Sequence, residues 1–96
     1  MNRRTPELPQ GVQVGPYTLK HCLGKGATAH VYLALTADGR EFALKIRARG
    51  RPDTDRRFLR EFEALRRLQL PGVIRVYEAG QTDKWLWFTM DVVGGP

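Results

Sequence analysis

Leu23-Gly24-Lys25-Gly26-Ala27-Thr28-Ala29-His30-Val31 is the stretch on which the fold turns. Its glycines let backbone N–H groups come close to an anion with no side chain in between. The residues after the glycines separate two architectures. A dinucleotide-binding turn needs a helix immediately after them, with its N-terminus on the pyrophosphate. In this chain Val31, Leu33 and Leu35 alternate with Tyr32, Ala34 and Thr36 instead, which is the period-two pattern of a strand. Tyr17, Leu19 and Leu23, with Thr18 and Lys20 between them, form a strand running into the loop. The stretch reads as strand, glycine loop, strand: a flap able to lie over phosphates, or, with no other feature beside it, an ordinary hairpin tip.

Working outward, Ala37-Asp38-Gly39-Arg40 supplies an Asp-Gly turn, and Glu41 to Ile46 forms a third strand. After the Arg47 to Pro52 stretch, Asp53 or Thr54 can cap a helix whose Phe58, Phe62, Leu65 and Leu68 recur at helical spacing. That spacing predicts a helix over roughly residues 54 to 69, stopped by Pro71-Gly72. Val73 to Glu78 and Trp85 to Val93 read as two more strands joined by a turn around Ala79 to Lys84. The expected fold is α+β, a five-stranded antiparallel sheet with one long helix. Residues 1–16, rich in Pro, Gly and polar types, read as a flexible leader, and residues 17–96 as one domain.

Composition narrows the rest. Ninety-six residues hold one small domain with a modest core. One cysteine, Cys22, excludes an internal disulfide, and no Cys/His cluster supplies four zinc ligands. No apolar run is long enough to span a bilayer. The expectation is a cytoplasmic protein without a membrane segment. The formal charge of +6, from 16 basic and 10 acidic residues, favours polyanions without choosing among them. Its two concentrations, Arg47 to Arg51 and Arg56 to Arg67, read as a solvated loop and a solvated helix face. A nucleic-acid surface built from Arg47, Arg49, Arg51 and Trp85 or Trp87 is the weaker alternative, since the two tryptophans alternate on a strand; no nucleic-acid partner is expected.

Two charged residues stand apart from those runs. Lys45 closes the third strand, and an isolated lysine there would point into water. Glu61, however, falls inside the arc of Phe58, Phe62, Leu65 and Leu68 at about 100° per residue, and a carboxylate on that face needs a partner. Glu63 lies on the opposite side, four residues before Arg67, where an ordinary surface pair is expected.

Together these features resemble the N-terminal lobe of the eukaryotic-like (Hanks-type) protein kinases, most like the bacterial Ser/Thr kinases, over about Tyr17 to Gly95. The glycine loop with its trailing valine, Phe42-Ala43-Leu44-Lys45, Arg57-Phe58-Leu59-Arg60-Glu61, Leu70-Pro71-Gly72-Val73-Ile74 and Phe88-Thr89-Met90-Asp91 match the family's motifs in order and spacing. The resemblance implies catalytic roles for Lys45 and Glu61, with Lys45 bridging the α- and β-phosphates of ATP and pairing with Glu61. It implies nucleotide contacts from the loop residues Gly24, Lys25, Gly26, Ala27, Thr28 and Ala29. Leu23, Val31 and Ala43 would roof the adenine, Met90 would stand as gatekeeper, and the Asp91 carbonyl and Val93 backbone would meet the adenine edge. Two departures are visible: Ala29 replaces the third glycine, and Thr28 stands where a bulky tip residue is frequent.

His-Arg-Asp with its downstream Asn, and Asp-Phe-Gly, have no counterpart in the 96 residues. The resemblance therefore implies a lobe ending at the hinge, truncated before its C-lobe and inactive alone. ATP would be its ligand, and Mg2+ would bind only with the C-lobe. The alternative is a non-catalytic docking module. In either case its missing C-lobe, another kinase or a second copy would meet an apolar strip around Leu65, Val76 and Met90.

Overall fold

The computed structural model describes residues 5–68 and 70–92. Among them the strands are β1 (Gln13–Val14), β2 (Tyr17–Lys25), β3 (His30–Leu35), β4 (Glu41–Ala48), β5 (Val76–Gln81) and β6 (Trp85–Met90), with one helix, α1 (Pro52–Arg67), between β4 and β5. They form an antiparallel sheet in the order β1-β2-β3-β4-β6-β5. The sheet has six strands among the described residues rather than the five expected. The extra strand is β1, which turns at Gly15-Pro16 and pairs Val14 with Tyr17. A two-residue strand leaves no period-two pattern to read.

α1 runs over 52–67, two residues earlier at each end than its spacing predicts. Pro52 sits at the start of the helix, where its fixed φ is already helical and its missing N–H has no intrahelical acceptor to lose. Asp53 and Thr54 are therefore inside the first turn, and the capping position belongs to Arg51 without a side-chain cap. Acidic Asp53 and Asp55 in the first turn and basic Arg66 and Arg67 in the last complement the helix dipole. Glu63 pairs with Arg66 at 3.6 Å, three residues on, rather than with Arg67. The strand bounds shift too. β5 starts at Val76 instead of Val73, and β6 stops at Met90 instead of continuing to Val93, which lies outside the described residues.

The register assigns each strand residue to a face, because directly paired residues point the same way and neighbours along a strand point oppositely. His30, Ile46, Trp87 and Gly80 form one row across four strands; Val31, Lys45, Phe88 and Ala79 form the next, on the other face. The first face carries a core of Tyr17, Leu19, Tyr32, Leu44, Ile46 and Trp87. The second packs Leu86 and Phe88 against Phe58 and Phe62 of α1. The Phe58 and Phe62 rings lie 5.1 and 5.7 Å from that of Phe88.

Part of the segment read as a leader makes specific contacts with the sheet. Residues 5–8 lie on the first face, where Thr5 is only 5% exposed and the Leu8 N–H donates to the Tyr32 hydroxyl at 2.8 Å. Pro, Gly and polar side chains carry no periodicity, yet their backbone groups and single hydroxyls find partners on the sheet.

Gly80 marks the tightest packing on that face. A Cβ there would come within 2.3 Å of Trp87 Cζ2, on a ring that is itself buried. Gly80→Ala is therefore expected to destabilise the domain by about 1–3 kcal/mol in urea denaturation. Gly50→Ala, whose Cβ meets nothing within 4 Å, should leave the midpoint almost unchanged.

Candidate functional site

The glycine loop closes the β2–β3 hairpin. Gly24 pairs with Val31 and Lys25 with His30, and the Gly26 N–H donates to the Ala29 carbonyl at 2.8 Å. A side chain at position 26 would put its Cβ 2.9 Å from that oxygen, so the turn needs this glycine. Two register shifts between Leu19 and Gly24 bend β2 just before the loop. Leu23, Ala27 and Thr28 are exposed. Ala29, in place of a third glycine, packs its methyl against the Phe58–Phe62–Phe88 cluster, so the departure from the glycine pattern ties the loop's end to the helix side of the sheet.

Val31, Ala43, Lys45 and Met90 share the second face, through the Val31–Lys45 and Ala43–Met90 pairs. Lys45 Nζ stands 5.9 Å from the centre of the Phe88 ring and reaches Glu61 Oε1 at 2.8 Å and Oε2 at 3.2 Å. The partner expected for Glu61 is thus present, but the carboxylate is not buried. The Lys45 and Glu61 side chains remain 29% and 44% exposed, so the pair is partly solvated.

Asp91 follows β6. Its N–H donates to the Arg75 carbonyl at 2.9 Å, and its carboxylate accepts from the Arg75 N–H and the Tyr77 hydroxyl. That hydrogen bond to a carboxylate, with burial second, raises the Tyr77 phenol above its ordinary value. The Asp91 side chain is therefore engaged in holding the segment after β6 to Arg75 and to Tyr77 at the start of β5.

The apolar strip around Leu65, Val76 and Met90 is less exposed than expected. Val76 is buried through its pairing with Met90 and its contact with the helix cluster, and Leu65 and Met90 are half-buried. Exposed apolar side chains gather instead past the end of α1, at Leu68, Leu70, Val73 and Ile74. The first three, with Leu65 and Val76 of the expected strip, line a groove of about 420 Å3 flanked by Arg66 and Arg75. Of the two tryptophans, Trp87 is buried and Trp85 half-buried.

Thr5, Glu7 and His30 are the residues that sequence reasoning missed. Thr5 Oγ1 donates to the Thr28 carbonyl, His30 Nε2 meets the Thr5 carbonyl at 2.7 Å, and Glu7 pairs with Lys25 of the loop at 2.9 Å. Only the loop's own His30 and Lys25 were visible as parts of a motif, and neither type points to a leader contact.

A strand–glycine loop–strand flap, with a lysine on the next strand paired to a helical glutamate, is the architecture of a protein kinase's nucleotide-binding lobe. Residues 17–96 match the protein kinase domain, and the chain belongs to that family. It is similar to bacterial Ser/Thr kinases. It is 43% identical over 96 residues to the DNA damage-responsive serine/threonine-protein kinase RqkA of Deinococcus radiodurans, covering 95% of this chain and 14% of that protein. It is 35% identical over 95 residues to the serine/threonine-protein kinase PknE of Mycobacterium bovis, covering 95% of this chain and 17% of that protein. The solved structure of PpkA-294 in its apo form superposes with a TM-score of 0.76 at 19% identity, over 93% of this chain and 40% of that one, a likeness of fold. The chain thus spans about a sixth of the length of these curated relatives. Among the described residues no helix is long and apolar enough to cross a membrane, and no three His, Cys, Asp or Glu side chains are grouped to hold a metal ion.

The Glu7–Lys25 pair has a pH signature. Their hydrogen bond, then their charges, hold the Glu7 carboxyl below its ordinary value and Lys25 above its own. A depressed carboxyl contributes above its unfolded value and is lost as pH falls through the folded one. A raised ammonium contributes below its unfolded value and is lost as pH rises through the folded one. The contact should be complete between about pH 5 and pH 10 and disappear on either side. Carboxyl NMR titration of Glu7 checks this: in Lys25→Met its midpoint should rise.

Proposed function

We propose that this chain is the ATP-binding lobe of a Ser/Thr-type protein kinase, whose whole protein transfers the γ-phosphoryl group of ATP to protein hydroxyls. The observation that carries the reading is the Lys45–Glu61 pair, set on the same face as Val31, Ala43 and Met90 and next to the strand that leaves the glycine loop.

The residues fit the nucleotide. Val31, Ala43 and Met90 give an apolar surface for a flat base, joined by Leu23. Ala43 is small and places no bulk in the way. Gly24 has nothing within 4 Å of where a Cβ would stand, so a phosphate oxygen can approach the backbone there. Lys45 supplies the positive charge, and Glu61 holds the ammonium so that it does not wander with its four-carbon stem. The Asp91 carbonyl takes the adenine edge; Val93, assigned the same role by resemblance, lies outside the described residues. When bound, ATP supplies the phosphoryl group; the chain's own part is to bind and orient it. Kinases of this family use Mg2+ with ATP. The base and metal ligands of His-Arg-Asp and Asp-Phe-Gly are not among the 96 residues, so transfer is assigned to a protein that also carries those motifs, and these residues alone are read as inactive.

A second reading, a docking module without catalysis, is favoured by one observation, the exposed Leu68, Leu70, Val73 and Ile74 at and beside the groove. Both readings can hold for one lobe, since the groove is lined by the end of α1 and the segment before β5 and does not include Lys45 or Glu61.

Calorimetry separates them. The wild-type chain is expected to bind ATP about tenfold more tightly than adenosine, with no gain from Mg2+, since one charge-assisted contact contributes about 1.5–3 kcal/mol. Lys45→Met should abolish that preference. It should also lower stability by less than about 1 kcal/mol, because a pair this exposed is screened by solvent. Equal affinity of the wild type for ATP and adenosine would leave only the docking reading.

A further inference from the structure

The pairing of β3 with β4 ends at His30 opposite Ile46. Continuing the same register by two residues would bring Thr28 opposite Ala48, with the Ala48 N–H aimed at the Thr28 carbonyl. That direct bond is absent, and a single hydroxyl from the leader stands in its place. The Ala48 N–H donates to Thr5 Oγ1 at 3.0 Å, and Thr5 Oγ1 donates to the Thr28 carbonyl at 2.5 Å. A hydroxyl is the smallest side-chain group that accepts and donates at once, so at this position only Ser or Thr can relay a ladder bond in this way.

Three further contacts hold the hydroxyl in register. The Thr5 carbonyl, which can only accept, takes a hydrogen from His30 Nε2 at 2.7 Å. This fixes the ring's tautomer and leaves His30 Nδ1 buried without a partner. Glu7 grips Lys25 on the other arm of the hairpin, and the Leu8 N–H is bound by Tyr32 on β3. Residues 5–8 thus cross the glycine hairpin on the face opposite Lys45 and touch both of its arms.

Thr28 is at the tip of the glycine loop, and Ala48 is three residues beyond Lys45 on β4. Resting on the nucleotide-binding reading above, we propose that Thr5 is a positioning residue for that site. Its hydroxyl ties the loop tip to the lysine-bearing strand and so sets the loop's place over the phosphates. The loop tip has few other anchors: Ala27 and Thr28 are exposed, and the hairpin's last internal bond is that of Gly26 to Ala29. Without the hydroxyl the loop samples positions that do not meet phosphate, and apparent affinity falls by the fraction of time it spends there.

The test uses the whole chain with Thr5→Val, which keeps the shape and removes the hydroxyl, and Thr5→Ser, which keeps the hydroxyl. Two quantities are read: amide hydrogen exchange by NMR, and affinity for ATP and for adenosine. In Thr5→Val the Ala48 amide should exchange about tenfold faster while Leu44 and Ile46 keep their protection, and ATP affinity should fall about tenfold with adenosine unchanged. Thr5→Ser should restore both. If Thr5→Val does not fold, Glu7→Gln, which loosens the strap at its exposed end, should move both readouts in the same direction by a smaller factor. Unchanged exchange at Ala48 would overturn the hydroxyl bridge. Faster exchange with an unaltered ATP-to-adenosine ratio would overturn the positioning role and leave Thr5 a strand tie. A wild-type chain that does not prefer ATP, yet whose Ala48 exchange depends on Thr5, would overturn the nucleotide reading, and the positioning role with it, while the bridge itself stands.

Discussion

Phe88 is the point through which the two halves of the domain meet. On β6 it is paired directly with Lys45 of β4, so its ring lies on the same face as the lysine, and Phe58 and Phe62 of α1 settle against it. The helix seat is therefore fixed by aromatic burial, and the position of Glu61 follows from that seat. Burying side chains of this size contributes about 1.5–3 kcal/mol each, against at most about 1 kcal/mol for an exposed ion pair. Packing decides where the helix lies, and the ion pair reports it. Phe88 also offers its ring to the ammonium, giving Lys45 an aromatic floor beneath and a carboxylate beside it.

Much of this was legible in the chain because side-chain period and backbone geometry are coupled. Val31, Leu33 and Leu35 could only be a strand, and Phe58 and Phe62 could only line a helix face. Once the two were placed, the arc containing Glu61 pointed at a cation, and Lys45 was the one at the end of a neighbouring strand. The same logic failed for Leu68, which continues the helical spacing but is exposed. Periodicity reports which face a residue would occupy and is silent on whether the sheet extends far enough to cover it. Leu65, in the last turn, still packs against the cluster of Phe58, Phe62, Val76, Leu86 and Phe88, and Leu68, just past the helix, does not.

The leader was illegible for a different reason. Its structure rests on backbone groups, one hydroxyl and one exposed ion pair, none of which has a spacing. Thr5 can be recognised only when the end of the β3–β4 ladder is already known, because its role is to fill a gap in that ladder. Ala29 belongs to the same class. As a sequence feature it is a lost glycine; in the fold its methyl joins the aromatic cluster, replacing backbone freedom with a side-chain anchor.

These two anchors act on opposite faces of one loop. Ala29 holds the loop's end toward the helix side, and Thr5 holds the tip from the leader side, so the hairpin between Lys25 and His30 is tethered from both. A third glycine would have left the loop to be ordered by its ligand, with the ordering entropy charged against binding. A loop tethered in advance needs less of that ordering, provided that it is tethered in the right place. The bulky tip residue frequent in the family is replaced by Thr28, whose carbonyl rather than whose side chain is the point of attachment. The small side chain and the backbone tether are then two aspects of one arrangement, in which the tip is held from its backbone beside the strand that carries Lys45.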